Sequence, residues 1–367
     1  MKIVRAESWT EAIPLTRPYA IAFATTETAE LAFVRLTAED GTIGLGCAAP
    51  VPEITGETFT ACVGALEARA RLVGRTAEDV DASLRAIAEP CAAAPAARAA
   101  LDTALHDLWA RLARVPLFEA LRGGAVRRDE RVGERRSLTP LPTSVTIGIR
   151  SLEETLAEAD EYVARGFVAV KAKIGVDLDG DVERVARLRE RLGPAIALRV
   201  DANMGYDVAG VERFVRLTSA FDVELIEQPT PPALDDELRS LPAAIRRLLA
   251  ADESLHGEHD VAALVREPRP YGVWNVKLMK CGGIAPALRI ARAAHAHGVD
   301  LMWGCMDESV IGIAAALHAA GAADATRYLD LDGSFDLARD PARGGFELVH
   351  GRLRPTSAPG LGVEIAT

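Results

Sequence analysis

The 367-residue sequence has no Cys-x-x-Cys pair, and its cysteines, Cys47, Cys62, Cys91, Cys281 and Cys305, are odd in number and scattered. That excludes a disulfide framework and a zinc knuckle, and it fits a reducing cytoplasm. No apolar run is long enough to span a bilayer, and the opening M-K-I-V-R-A-E-S-W lacks the apolar segment of a secretory leader, so a cytoplasmic protein without a membrane partner is expected. Positive charge is also short. Lys and Arg number 42 against 53 Asp and Glu, a formal net charge of −11, which is the wrong balance for phosphate contacts and argues against a nucleic-acid partner. The one arginine-rich stretch, Arg127 to Arg136, carries Asp129, Glu130 and Glu134 and reads as a solvated connector. With 49% apolar and 26% charged residues, the chain has the balance of a globular protein, long enough for a large barrel and a smaller companion.

Lys2 to about Cys47 is strand-like, with L-A-F-V-R-L leading into the turn E-D-G and then T-I-G-L-G-C, the pattern of a small antiparallel sheet. Thr58 to Gly123 is alanine-rich and helical. Beyond the connector one unit recurs: a short β-rich run, a polar residue, a loop and an amphipathic helix. The runs begin at Val145, Phe167, Ile196, Val223, Leu248, Val273, Val299 and Arg327. Eight such units predict a parallel (β/α) barrel rather than an open sheet. The tail from Gly333 has turns and no long helical pattern, and is expected to pack back on the N-terminal sheet.

Lys173, Asp201, Glu227, Asp252, Lys277 and the pair Asp330/Asp332 each fall at or near the end of a predicted strand. In a parallel barrel those ends form one face, so residues distant in sequence converge there. Asp201, Glu227 and Asp252 would make an all-oxygen site suited to Mg²⁺ rather than zinc, with Asn203 supporting the shell or the substrate. For any one acid alone, capping the next helix is the competing role. Lys171 and Lys173 are two apart on a strand and share a face, the barrel interior. A second lysine and a divalent cation nearby would bring such an ammonium towards the range of a base. Asp330 and Asp332, separated by Leu331, also share a face and suit one cation.

The segments K-A-K (Lys171 to Lys173), D-A-N (Asp201 to Asn203), I-E-Q-P (Ile226 to Pro229), A-D-E-S (Ala251 to Ser254) and N-V-K-L-M-K-C-G-G-I (Asn275 to Ile284) resemble, in this order, the muconate-lactonizing-enzyme subgroup of the enolase superfamily. The resemblance covers essentially the whole chain and implies an α/β fold: a modified (β/α) barrel over residues 140–334, with an α+β capping domain from residues 1–124 joined by the tail 335–367. It implies Mg²⁺ on Asp201, Glu227 and Asp252, acid/base lysines at Lys173 and Lys277, and Lys171 on the substrate carboxylate, and it leans towards a homo-oligomer. Within that family D-L-D at Asp330 to Asp332 is similar to the dipeptide epimerases, whose acidic pair holds a substrate ammonium. A dipeptide is therefore the expected small-molecule partner, inverted at the α-carbon of its C-terminal residue, with Thr146, Cys305 and Met306 also lining the site.

Two departures bear on specificity. Cys47 stands where relatives have a glutamate, and Ala24, in a loop with Phe23, stands where relatives acting on alanyl-glutamate have an arginine. With Asp307 and Glu308 expected to add negative charge at the rim, the second side chain should be hydrophobic or cationic rather than acidic. The alternatives within the superfamily are muconate cycloisomerase, o-succinylbenzoate synthase and N-succinylamino-acid racemase; outside enzymes, a silent binding protein on the same barrel. Gly44 to Gly46 does not complete a dinucleotide fingerprint and reads as a turn, His256 and His259 as a helix start, and His106 as a packing residue.

Overall fold

The computed structural model describes residues 1–21, 24–123 and 140–366. The connector Arg127 to Arg136 and Phe23 lie outside them, and Ala24 is the first residue of its strand. Strands β1 (Ile3–Ile21), β2 (Ala24–Ala38) and β3 (Ile43–Ala48) form an antiparallel sheet, with the expected turn between β2 and β3. The 18-residue helix Pro95–Leu112 lies against it.

Gly44 and Gly46 are not a turn; both lie within β3. A Cβ on Gly46 would stand 1.9 Å from the Ala100 carbonyl oxygen, and one on Gly44 would stand 2.2 Å from that of Ala104. The G-L-G pattern therefore marks the close approach of a strand to an alanine-rich helix, which the absence of a Cβ permits. His106, on the same helix, is buried and does have a partner: its Nδ1 lies 3.0 Å from Asp102 Oδ1 and 2.9 Å from the Asp102 carbonyl oxygen.

That helix has no capping side chain of its own at Ala94; the buried Glu57 reaches in from a preceding loop and accepts from the Ala96 N–H. Burial pushes the Glu57 carboxyl up to about 7 against that bond. The folded protein thus binds a proton more tightly here than the unfolded chain. The contribution to stability is greatest below the ordinary carboxyl range and is lost as pH rises towards neutrality, by on the order of 1–3 kcal/mol. Glu57→Gln keeps an acceptor for the helix end and removes the charge. In urea unfolding it should be more stable than wild type at about pH 8 and indistinguishable at about pH 4.

After the two-residue β4 (Leu141–Pro142) come the eight barrel strands: β5 (Val145–Ile147), β6 (Ala169–Lys173), β7 (Ala197–Asp201), β8 (Val223–Glu227), β9 (Leu249–Ala251), β10 (Val273–Lys277), β11 (Asp300–Gly304) and β12 (Thr326–Asp330). All eight expected runs are strands, and their order in the sheet is their order in the chain. The edges meet at a parallel bridge between Thr143 and Leu329 and at a 3.0 Å bond from the Ser144 N–H to the Leu329 carbonyl. Inside, Leu225, Ala250, Val273, Met302 and Tyr328 form a small apolar cluster of their own. Each stands two residues before Glu227, Asp252, Asn275, Gly304 or Asp330, so the period of two stacks one polar layer directly on an apolar floor.

The tail meets β1 at a Leu15–Leu337 bridge and at a 2.7 Å bond from the Thr16 N–H to the Asp336 carbonyl. It does not extend the N-terminal sheet. Its strands pair elsewhere: β13 (Ala342–Gly344) with β16 (Val363–Ile365), and β14 (Phe346–Val349) with β15 (Arg352–Pro355), which pairs with β4. No helix among the described residues is long and apolar enough to cross a membrane.

Candidate active site

Strand register carries the expected residues to one end of the barrel. Lys173 is opposite Asp201, Asp201 opposite Glu227, Lys277 opposite Gly304, and Gly304 opposite Asp330. Gly304 is small by necessity, since a Cβ there would lie 2.5 Å from Asn275 Oδ1 and 3.0 Å from Lys277 Cε. Helix capping does not explain the acids at β7: the helices after β6 and β7 are capped by Asp177 and Asp207, which accept from Gly180 and Gly210. The side chain of Asp201 is left for the interior.

Each of the three acids is held by a lysine. Lys173 Nζ donates to Asp201 Oδ2 at 2.6 Å, Lys171 Nζ to Glu227 Oε2 at 3.0 Å and to Asp330, and Lys277 Nζ to Asp252 Oδ2 at 2.8 Å. Lys280 also reaches Asp252, at its carboxylate and, at 2.6 Å, its carbonyl. Asn275 Nδ2 donates to Glu227 Oε1 at 2.7 Å. All three acids are buried.

The electrostatics follow from this crowding. Burial, then repulsion from Asp201, pushes Glu227 up to about 8 against the pull of Lys171. Burial also raises Asp252, but Lys277 and Lys280 outweigh it and hold that carboxyl well below the ordinary range. Burial disfavours the Lys277 ammonium, yet Asp252 and Glu227 outweigh it and hold the group above its ordinary value; Lys171 pulls the other way and loses. The chain's own groups alone therefore keep Lys277 protonated, and lowering it requires the neighbouring carboxylates to be neutralised.

The donor chemistry fits a divalent cation: three carboxylates from neighbouring strands, beside the buried acceptor oxygens Asn203 Oδ1 and Glu253 Oε2, which find no partner among the described residues. In the arrangement described, the lysines hold the carboxylates of Asp201, Glu227 and Asp252 instead. No three His, Cys, Asp or Glu side chains among the described residues are grouped to grip a metal.

Above this layer opens a cavity, continuous with solvent, lined by Lys171, Lys173, Lys277, Thr146, Cys305, Met306, Asp330 and Asp332. Asn203 is not on that wall; it lies behind Asp201, donating to Glu253 Oε1 at 3.3 Å. Asp307 lines the cavity, but Glu308 is not at the rim. It is 2% exposed, accepts from the Met306 N–H at 3.1 Å, and is pushed up to about 8 by burial, so it adds little negative charge near neutrality.

Sequence reasoning missed several neighbours. Lys280 lies inside the quoted N-V-K-L-M-K segment, one helical turn after Lys277, and its position was the available signal. Arg17, Arg150, Glu158, Tyr162 and Asp336 also line the cavity, with Glu158 bound by Arg17 at 3.0 Å and by Arg150 at 3.2 Å. Nothing in their spacing announces this, because β1 and the loop after β5 meet only in the fold.

Comparison with known proteins agrees with this architecture. Residues 4–122 match the mandelate racemase/muconate lactonizing enzyme N-terminal domain, and residues 154–367 match the enolase C-terminal domain-like family. An L-Lys-D/L-Arg epimerase of Methylococcus capsulatus is 52% identical over 99% of both chains, and one of Desulforapulum autotrophicum is 47% identical over 99% of both. The crystal structure of a Methylococcus capsulatus dipeptide epimerase complexed with Mg and L-Arg-D-Lys superimposes with a TM-score of 0.93, covering 99% of each chain at 52% identity. A substrate-liganded L-Ala-D/L-Glu epimerase of Bacillus subtilis gives 0.91 over the full length of both chains at 31% identity. The chain belongs to the mandelate racemase/muconate lactonizing enzyme family of the enolase superfamily, and within it resembles the dipeptide epimerases.

Proposed function

We propose that the protein is a Mg²⁺-dependent dipeptide epimerase that inverts the C-terminal α-carbon of an L,L-dipeptide and prefers cationic side chains. The observation that carries this is one cavity walled by two lysines from strands four apart in the barrel, Lys173 and Lys277, with Asp330 and Asp332 on the same wall. One lysine amine removes the α-proton, and the other ammonium delivers a proton to the opposite face, so the C–H bond broken on one side is remade on the other with inverted configuration. Lys171 faces the charge that develops on the substrate carboxylate. Asp201, Glu227 and Asp252 would hold Mg²⁺, which supplies further positive charge beside that carboxylate. Asp330 and Asp332 receive the free ammonium.

The cation preference is supported by the acidic wall. Asp307, Asp330, Asp332 and Asp336 all line the cavity, and burial, then repulsion from Asp332, Asp307 and Glu158, pushes Asp336 up to about 7. The relatives at 52% and 47% identity, both L-Lys-D/L-Arg epimerases, support the same preference. The test is deuterium uptake from D₂O, with Mg²⁺ present, on L-Arg-L-Lys, L-Lys-L-Arg, L-Leu-L-Tyr, L-Ala-L-Glu and N-acetyl-L-Arg-L-Lys. Exchange should be fastest on the two cationic dipeptides. N-acetylation leaves the acidic pair without its counterion, which costs about 2–5 kcal/mol and lowers kcat/KM by roughly 30-fold or more. Fastest exchange on L-Ala-L-Glu refutes the side-chain preference, and efficient turnover of the acetylated compound refutes the ammonium clamp.

A further inference from the structure

Below the acidic pair lies a buried cation that the proton transfers do not use. Arg199, on β7 two residues before Asp201, is 1% exposed. Its Nε donates to Glu224 Oε2 at 2.7 Å, and its Nη1 donates to the Leu329 carbonyl at 2.7 Å and to Ser144 Oγ at 3.1 Å. The guanidinium lies over the Tyr328 ring, 5.0 Å from its centroid. Ser144 Oγ in turn lies 2.6 Å from Asp330 Oδ1.

The direction of this chain is set by proton counting. A serine hydroxyl has one proton to give and two lone pairs, and Arg199 has no capacity to accept, so the bond between them uses a serine lone pair. The hydroxyl proton then has two acceptors in reach. The Leu329 carbonyl is 3.3 Å away and already accepts from Arg199 and from the Ser144 N–H, whereas Asp330 Oδ1 is closer and ionised. A charge-assisted bond to the carboxylate is the stronger of the two. Lys171 binds Asp330 Oδ2, so the carboxylate is held at both oxygens, one from each side. Without Ser144 the carboxylate is free to turn towards Lys171 and away from an arriving ammonium.

We propose that Arg199 and Ser144 are positioning residues for the ammonium clamp: Arg199 sets the serine hydroxyl, and the hydroxyl fixes the plane in which Asp330 meets the substrate's N-terminus. The inference rests on the reading of Asp330 and Asp332 as that clamp. Neither residue touches substrate in this scheme; each acts through Asp330.

The experiment compares KM and kcat for L-Arg-L-Lys with the inhibition constant of its des-amino analogue, in which hydrogen replaces the N-terminal ammonium, in wild type, Ser144→Ala and Arg199→Met. In Ser144→Ala, KM should rise about tenfold, kcat should fall by less than about threefold, and the inhibition constant of the analogue should stay within about twofold. Arg199→Met should follow the same pattern. A general loosening of the barrel would raise both constants together, and that result, or undiminished discrimination in Ser144→Ala, would overturn the proposal. If wild type itself binds the analogue as well as the dipeptide, the clamp reading fails and the positioning role falls with it.

Discussion

Lys173→Ala and Lys277→Ala should each abolish epimerisation while leaving one-sided proton exchange. Each lysine enters the cavity from its own strand, β6 or β10, and in the proposed scheme each meets one face of the planar carbanion left by loss of the α-proton. Removing one leaves a base on a single face: the proton of one stereoisomer still exchanges with D₂O, but no inverted product forms. General acid–base groups typically contribute about 10²–10⁴-fold, and since inversion needs both, the loss should lie at or beyond the upper end of that range. Proton NMR in D₂O, with the L,L and L,D dipeptides supplied separately, reads both quantities. The two mutants should have opposite stereochemical preferences for exchange. Full epimerisation by either one would refute the two-base scheme.

Exhaustive chelation should remove activity, and Mg²⁺ should restore it. Burial, then repulsion from Asp201, pushes Glu227 up to about 8, and among the described residues Lys171, Lys173, Lys277 and Lys280 hold the three carboxylates. A divalent cation held by these oxygens would free the lysines from them and would lower the lysines' affinity for protons, because like charge disfavours the ammonium form. Glu227→Gln should weaken Mg²⁺ binding in calorimetry by roughly tenfold or more, since a charged hard ligand is lost, while far-UV circular dichroism stays that of a folded barrel. Undiminished turnover in rigorously metal-free protein would remove the metal from the scheme.

The barrel was legible because its signal is local and repeated. A short strand followed by a helix is written in consecutive residues, and eight such strand runs in order leave little choice of architecture. The stations of Lys173, Asp201, Glu227, Asp252 and Lys277 were legible for the same reason: each lies at or just beyond a strand end, and strand ends in a parallel barrel share a face. Gly44 and Gly46 were misread as a turn because glycine marks both a reversal and a close approach, and only the Ala100 and Ala104 carbonyls opposite them distinguish the two. The tail does meet β1 of the N-terminal sheet, but its three- and four-residue strands pair with one another and with β4, because strands that short carry no register.

The amino-acid order alone therefore determined the fold class, the family, and which residues end at the chemical face, since all three depend on spacing along the chain. Tertiary structure decided which charges meet. Arg17 and Arg150 meet over Glu158, Arg199 reaches Asp330 through Ser144, and Glu308 is drawn out of the rim into the interior. These contacts join residues 55 to 186 positions apart where Arg199, Ser144 and Asp330 are concerned. Coulomb attraction and desolvation depend on distance in space and on burial, and neither is encoded in the neighbourhood of any one residue.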